Sequence, residues 1–180
     1  MDLFASLPNL ITLARLCLVP LSVWLIAEQH WEAAFAVFVV AGLSDALDGW
    51  LAKTYGLETE LGAYLDPLAD KALLVSIYVA LTLARHLPVP LAILVVSRDI
   101  MIIGAVLIAG LMGKPVEIRP LFVSKLNTVA QIGLAGLVLG MKALGTAPGA
   151  GLDVAIWFTA GLTFASAAAY LRQWLRHMGA

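Results

Sequence analysis

The sequence predicts an all-α, polytopic membrane protein with six transmembrane helices, and three observations predict it. The chain is 62% apolar and only 13% charged, with a mean hydropathy of +0.95. A soluble domain runs at about 45–50% apolar and about 25% charged. The length of 180 residues admits six stretches of about 20 apolar residues, the span of a bilayer's hydrocarbon core. Proline or glycine marks the connections around Pro88 and Pro90, Pro115 and Pro120, and Gly145 to Gly151. The composition excludes disorder, a nucleic-acid binder and a soluble enzyme with a polar shell. A net charge of −1 implies no polyanionic partner. No repeat, low-complexity run or linker divides residues 1–180, so one domain is expected.

The six spans are read at residues 8–27, 31–51, 61–84, 88–112, 122–142 and 152–174. Pro8 fits a first helical turn. Pro88 and Pro90 start the fourth span. Pro115 and Pro120 lie in the loop before the fifth, and Pro148 with Gly145, Gly149 and Gly151 marks the loop before the sixth. The single cysteine, Cys17, excludes an internal disulfide and is expected as a small packing residue. No cleavable signal pattern opens the chain, because Asp2 stands where a basic cluster would be.

Lysine and arginine set the orientation. Lys53, Lys114, Arg119, Lys125, Arg172 and Arg176 fall on the side of the termini, and Arg85 and Lys142 on the other. Six against two puts both termini in the cytoplasm, for a bacterial inner (cytoplasmic) membrane.

Carboxylates stand where a membrane disfavours them. Asp45, Asp48, Asp66, Asp70 and Asp99 lie inside or at the ends of apolar spans. Each costs about 2.5–3.5 kcal/mol at a helix centre on insertion scales. They must be compensated by protonation, paired cations, a watery cavity or a metal. Asp45 and Asp48 are i,i+3 at the end of the second span, and Asp66 and Asp70 are i,i+4 near the start of the third. Each pair shares one helix face. The short connection makes these helices antiparallel neighbours, so the carboxylates face one another near the cytoplasmic surface. Hard oxygen donors suit Mg²⁺ or Mn²⁺, and four of them suit two such ions. Pro67, between the last two aspartates, is a point where the third helix begins or kinks. Gly49, Ala52 and Gly62 permit close helix packing or leave room for a ligand.

Residues 45–70 run Asp45, Asp48, Gly49, Ala52, Lys53, Gly62, Asp66 and Asp70. This resembles the signature of the CDP-alcohol phosphotransferases, D-x2-D-G-x2-A-R-x8-G-x3-D-x3-D. Seven of the eight fixed positions match in identity and all match in spacing. The departure is Lys53 for arginine, which keeps the charge without the bidentate fork. The resemblance implies a six-helix core, usually as a homodimer. Asp45, Asp48, Asp66 and Asp70 would hold two divalent cations, Mg²⁺ or Mn²⁺, that grip the diphosphate of a CDP-linked lipid. Asp70 would also be the catalytic base toward the acceptor hydroxyl. Asp45, Gly49, Ala52, Lys53 and Gly62 would line the CDP pocket.

Further motifs narrow the branch. The opening Leu7-Pro8-Asn9-Leu10-Ile11-Thr12-Leu13-Ala14-Arg15 looks like the phosphatidylglycerophosphate synthase and cardiolipin synthase branches. The stretch from Leu87 through Ser97-Arg98-Asp99-Ile100-Met101, and that from Pro120 to Gln131, look more like the mitochondrial-type cardiolipin synthase branch. The resemblance covers roughly residues 7–135. It implies transfer of a phosphatidyl group from CDP-diacylglycerol to phosphatidylglycerol, or alternatively to glycerol 3-phosphate.

The remaining charges have plain and functional readings. Arg98 and Asp99 either pair within the membrane or leave Arg98 to hold a lipid or acceptor phosphate. Adjacent residues project about 100° apart on a helix, so sequence alone does not require their direct contact. Lys125 and Asn127 open the fifth span as phosphate contacts, or Lys125 snorkels to headgroups. Arg119 is a further acceptor contact or an anchor to anionic lipid. Asn9, Thr12 and Arg15, at i,i+3 steps on one face of the first helix, are nucleotide-side candidates, or Arg15 is simply solvated at the interface. His30, His86 and His177 have no spacing partner and take no metal or acid/base role. Trp24, Trp31, Trp50, Trp157 and Trp174 are expected near span ends. A divalent-cation transporter is the alternative from another class. It explains the carboxylates but not the glycine spacing, it lacks the expected repeat symmetry, and it would release no CMP.

Overall fold

A computed structural model describes residues 3–55, 60–111 and 121–178, with side chains over 11–45, 47, 69–105 and 121–176. Among the described residues the chain is all helical, with six helices and no strand. They are α1 (Leu3–Ala27), α2 (Trp31–Tyr55), α3 (Glu60–Leu83), α4 (Val89–Leu111), α5 (Phe122–Ala143) and α6 (Ala150–Met178).

Each helix falls on one of the expected apolar stretches. Prolines open α4: Pro88 precedes it and Pro90 sits in its first turn, where a missing N–H leaves no bond unmade. Pro67 behaves otherwise. The third helix neither begins there nor stops, since α3 starts at Glu60 and continues to Leu83. Pro67 lies one turn past the four N–H groups that are unbonded in any helix, so it forfeits one backbone bond within an established helix.

The ends of α1, α3 and α5 share one device. Gln29, Arg85 and Gly145 have φ of 60°, 60° and 64°. The following amides reach back to close the helix: His30 N to Leu25 O at 2.8 Å, His86 N to Leu81 O at 2.8 Å and Thr146 N to Met141 O at 2.9 Å. A second bond accompanies each, from Gln29 N to Ile26 O, Arg85 N to Thr82 O and Gly145 N to Lys142 O. This paired closure is the Schellman arrangement. Glycine adopts it freely, whereas Gln29 and Arg85 carry a left-handed backbone costing about 1–2 kcal/mol.

The helices divide into two compact units, Met1–His86 with Ala135–Ala147, and Leu87–Leu134 with Pro148–Ala180. In the first, α1 packs against α3 and α2. Its inner face carries Thr12, Arg15, Ser22 and Ile26, all buried. Its outer face carries Leu13, Cys17, Leu21 and Trp24, all exposed. Cys17 is therefore not the buried packing residue that its position in an apolar stretch implied. The helix turns its polar side inward, and the thiol falls on the apolar outer side. Ala69, Leu73, Ile77, Tyr78 and Leu81 line the buried stripe of α3 at the 3.6-residue period. Gly136 and Gly140, one turn apart on α5, receive Phe38 and Phe35 of α2. A Cβ at Gly136 would lie 3.1 Å from Phe38 Cε1, so alanine there would push the Phe38 ring back by a few tenths of an ångström.

Trp24 and Trp31 flank the α1–α2 turn. Lys142 Nζ stands 5.7 Å from the centre of the Trp31 ring, and His86 meets that ring edge-on at 4.9 Å. Partial burial and the positive Lys142 lower the His86 pKa from its ordinary 6.5.

In the second unit α4 packs against α6. Thr159, Thr163 and Ser166 are buried on α6, while Val154, Trp157, Phe158, Phe164, Leu171 and Leu175 are exposed. A water-soluble helix would present the opposite distribution. Asn127 Oδ1 of α5 accepts from Thr163 Oγ1 at 2.8 Å, and Gln131 Nε2 donates to the same hydroxyl at 3.3 Å. Trp174 Nε1 donates to Ala105 O at 3.2 Å. Polar seams of this kind hold helices together where surrounding lipid removes the hydrophobic drive for association. Among the described residues, Phe122–Ala143 and Ala150–Arg176 are long and apolar enough to cross a membrane, and Ile11–Ala27 is a shorter apolar helix.

Candidate active site

The site is built on α1, α2 and α3. Asp45 stands in the second half of α2 and Asp70 in the first half of α3. Between them comes Arg15 of α1. Its Nη1 lies 2.8 Å from Asp45 Oδ1 and donates to Asp70 Oδ1 at 2.6 Å. One nitrogen thus gathers carboxylates from two helices. The arginine side chain is 1% exposed, whereas those of Asp45 and Asp70 are 47% and 46% exposed. The cation is inside and the acids open outward. Charge explains the arrangement: two carboxylates at such separation repel unless a cation lies between them. The expected seam between α2 and α3 is accordingly bridged by α1, which packs against both.

Asp48 and Asp66 have backbone positions in α2 and α3, but their side chains lie outside the described residues. The same holds for Gly49, Ala52, Lys53 and Gly62 of the proposed CDP pocket, and for Asn9 of α1. Arg119 lies outside the described residues altogether. Thr12 is fully buried on the same face of α1 as Arg15. Among the described residues no group of three acidic, histidine or cysteine side chains gathers; the described part of the cluster is Asp45 with Asp70. The donors present fit a hard divalent ion, since both are carboxylates, both reach a single cation, and both face solvent from which an ion can enter.

A second polar cluster lies in the other unit. Arg98 is 3% exposed and Asp99 6%. Arg98 Nη1 donates to Asp99 Oδ1 at 2.6 Å, Nε to Ser166 Oγ at 3.2 Å and Nη2 to Ser166 Oγ at 2.9 Å. Nη2 also donates to Ser124 Oγ, and the guanidinium lies 5.6 Å from the Tyr170 ring centre. The two adjacent residues therefore pair directly. The long arginine side chain folds back to its neighbour, which the 100° separation of their Cβ directions does not prevent. Ser124, Ser166 and Tyr170 escaped the sequence reading. The signal available for α6 was Thr159, Thr163 and Ser166 at i, i+4 and i+7 in an apolar helix. Lys125 is exposed at the start of α5, and Asn127 is fully buried two residues on.

A family model for CDP-alcohol phosphatidyltransferases matches residues 5–170. A "Cardiolipin synthase (CMP-forming)" of Homo sapiens is 36% identical over 181 residues, covering 92% of this chain and 60% of that protein. A chloroplastic "CDP-diacylglycerol--glycerol-3-phosphate 3-phosphatidyltransferase 1" of Oryza sativa subsp. japonica is 33% identical over 185 residues, covering 93% of this chain and 56% of its own length. A "Cardiolipin synthase (CMP-forming)" of Streptomyces coelicolor is 35% identical over 120 residues, covering 63% of this chain and 56% of its own length. The chain thus spans 60% or less of these three relatives.

Proposed function

The chain belongs to the CDP-alcohol phosphatidyltransferase family, and on that premise we propose that it transfers the phosphatidyl group of CDP-diacylglycerol to phosphatidylglycerol, yielding cardiolipin and CMP. The observation that carries this reading is the pair Asp45 and Asp70, brought to one cation at the family's own signature positions. Similarity to proteins named cardiolipin synthase supports the acceptor.

In this reading Asp45, Asp48, Asp66 and Asp70 would hold two Mg²⁺ or Mn²⁺ ions, which would supply positive charge to offset that of the diphosphate and of the leaving CMP. Gly49, Ala52, Lys53 and Gly62 line the cytidine diphosphate pocket, with Asn9 and Thr12 on its nucleotide side. Asp70 takes the proton from the acceptor hydroxyl. The acceptor oxygen then bonds to the phosphatidyl phosphorus, and the bond from that phosphorus to CMP breaks. Orientation of the reacting groups supplies much of the rate. Lys125 and Arg119 are the cations proposed for the acceptor phosphate. Arg98 joins them only by exchanging one of its present partners, Asp99, Ser124 or Ser166.

All six helices would cross the membrane as one domain, with both termini on the side of the aspartates and a homodimer as the working assembly. The exposed apolar faces of α1 and α6 support immersion in lipid. The relatives in Homo sapiens and Rattus norvegicus, both named cardiolipin synthase, favour that branch.

Glycerol 3-phosphate is the second reading, favoured by the rice relative. Purified protein with Mg²⁺ and CDP-diacylglycerol, given each acceptor in a separate reaction, separates the two. Cardiolipin, identified by mass, is expected with phosphatidylglycerol. Phosphatidylglycerophosphate formed from glycerol 3-phosphate alone would overturn the acceptor and leave the aspartate chemistry standing.

A further inference from the structure

We infer that Arg15 is an internal competitor of the catalytic metal: its guanidinium partly neutralises Asp45 and Asp70 until a divalent ion takes them, so Arg15 sets how tightly the site holds metal. The inference rests on the metal-binding role proposed above for these aspartates, and it concerns a residue that the family signature does not include.

The geometry is specific. Arg15 Nη1 contacts Oδ1 of both aspartates, at 2.8 Å and 2.6 Å. An amino group of a guanidinium carries two hydrogens, enough for one bond to each carboxylate. A divalent ion held by Asp45 and Asp70 would draw on the same two negative carboxylates. Arg15 and the metal therefore carry charge of the same sign toward the same pair of acids. Each binds less tightly in the presence of the other, and the coupling is reciprocal.

Burial makes the competition consequential. The Arg15 side chain is 1% exposed while the two acids are 47% and 46% exposed, so the arginine depends on these carboxylates for its charge compensation, although water screens their outer sides. It joins α1 to α2 and α3, the two helices against which α1 packs. Without metal, the arginine holds these three helices together at their acidic end. Metal then meets a site already organised but partly neutralised, and loses affinity for that reason.

The consequence has a sign that a merely structural arginine would not produce. If Arg15 only supported the fold, removing it would disorder the carboxylates and weaken metal binding. If it competes, removing it tightens metal binding while destabilising the metal-free protein. The experiment is Mn²⁺ titration of purified full-length protein in detergent, following free Mn²⁺ by electron paramagnetic resonance. Thermal unfolding is recorded with and without the ion. For Arg15→Met the Kd for Mn²⁺ is expected to fall by a factor within about 5–150, the usual span of coupling between two binding events. Its Tm without metal should fall, and the gap should narrow when Mn²⁺ is added. Arg15→Lys keeps the charge but loses the fork, and its Kd should lie between the two. An unchanged or weaker Mn²⁺ affinity in Arg15→Met overturns the inference. If that variant does not fold even with Mn²⁺, Arg15→Lys decides, and no tightening in it overturns the inference equally. Folded wild-type protein that binds no Mn²⁺ would instead overturn the metal reading on which the inference stands.

Discussion

Asp70→Asn is expected to lower turnover by about 10²–10⁴-fold, the usual contribution of a positioned proton acceptor, with the protein still folded. Asparagine keeps the shape of aspartate but removes the charge and the basic oxygen. Asp70 is 46% exposed, so the change opens no cavity and strands no buried group. Arg15 retains Asp45 at 2.8 Å, and α1 keeps its tie to α2. Activity and Tm should therefore separate, with product formation collapsing and the unfolding midpoint moving by only a few degrees. Both are measured on one detergent preparation, by lipid mass analysis and by thermal scan. Near-normal turnover in Asp70→Asn would remove this residue from the chemistry.

The second large effect is on stability. Arg98→Met should destabilise the protein by about 3–5 kcal/mol, the usual cost of removing one member of a buried ion pair. Asp99 is 6% exposed and its carboxylate accepts from Arg98 Nη1 at 2.6 Å. Ser124 and Ser166 lose the same donor. The loss should be strongly non-additive. Arg98→Met combined with Asp99→Leu removes both charges and should recover much of the stability, because an apolar pair of similar volume replaces an ion pair that must be desolvated. Unfolding of the two single variants and the double variant in detergent gives the coupling directly. Equal and additive losses would show that the pair is not the source of the cost.

The two clusters differ in how far they could be read from sequence. Asp45 and Asp70 were legible because helical spacing and a membrane's intolerance of carboxylates both single them out. The start of α4 was legible from Pro88 and Pro90, and the connection after α5 from Gly145, because the backbone preferences of proline and glycine are local. What joins Asp45 to Asp70 was not legible. Arg15 is 55 residues from Asp70, and nothing in the spacing of α1 says which neighbour it faces; its i,i+3 relation to Thr12 suggested a nucleotide contact instead. Cys17 was misjudged for a related reason. Uniform hydropathy hides which side of a membrane helix faces protein, and in α1 that side is the polar one. The Arg98–Asp99 ion pair was one of the two readings of the sequence; that the neighbours bond each other directly was left open, since Cβ directions 100° apart limit short side chains but not arginine. Gln29 and Arg85 gave no sign of their left-handed backbone, because neither residue prefers it and the helix closure around them supplies the stabilisation.

The most direct test of the account is the release of CMP from CDP-diacylglycerol by the purified protein with phosphatidylglycerol, before chelation, after exhaustive chelation and after Mn²⁺ is restored. One CMP is expected for each cardiolipin formed, with loss of both products on chelation and return of both with the ion. Cardiolipin formation that persists undiminished after exhaustive chelation, or that proceeds without CMP, would contradict this expectation.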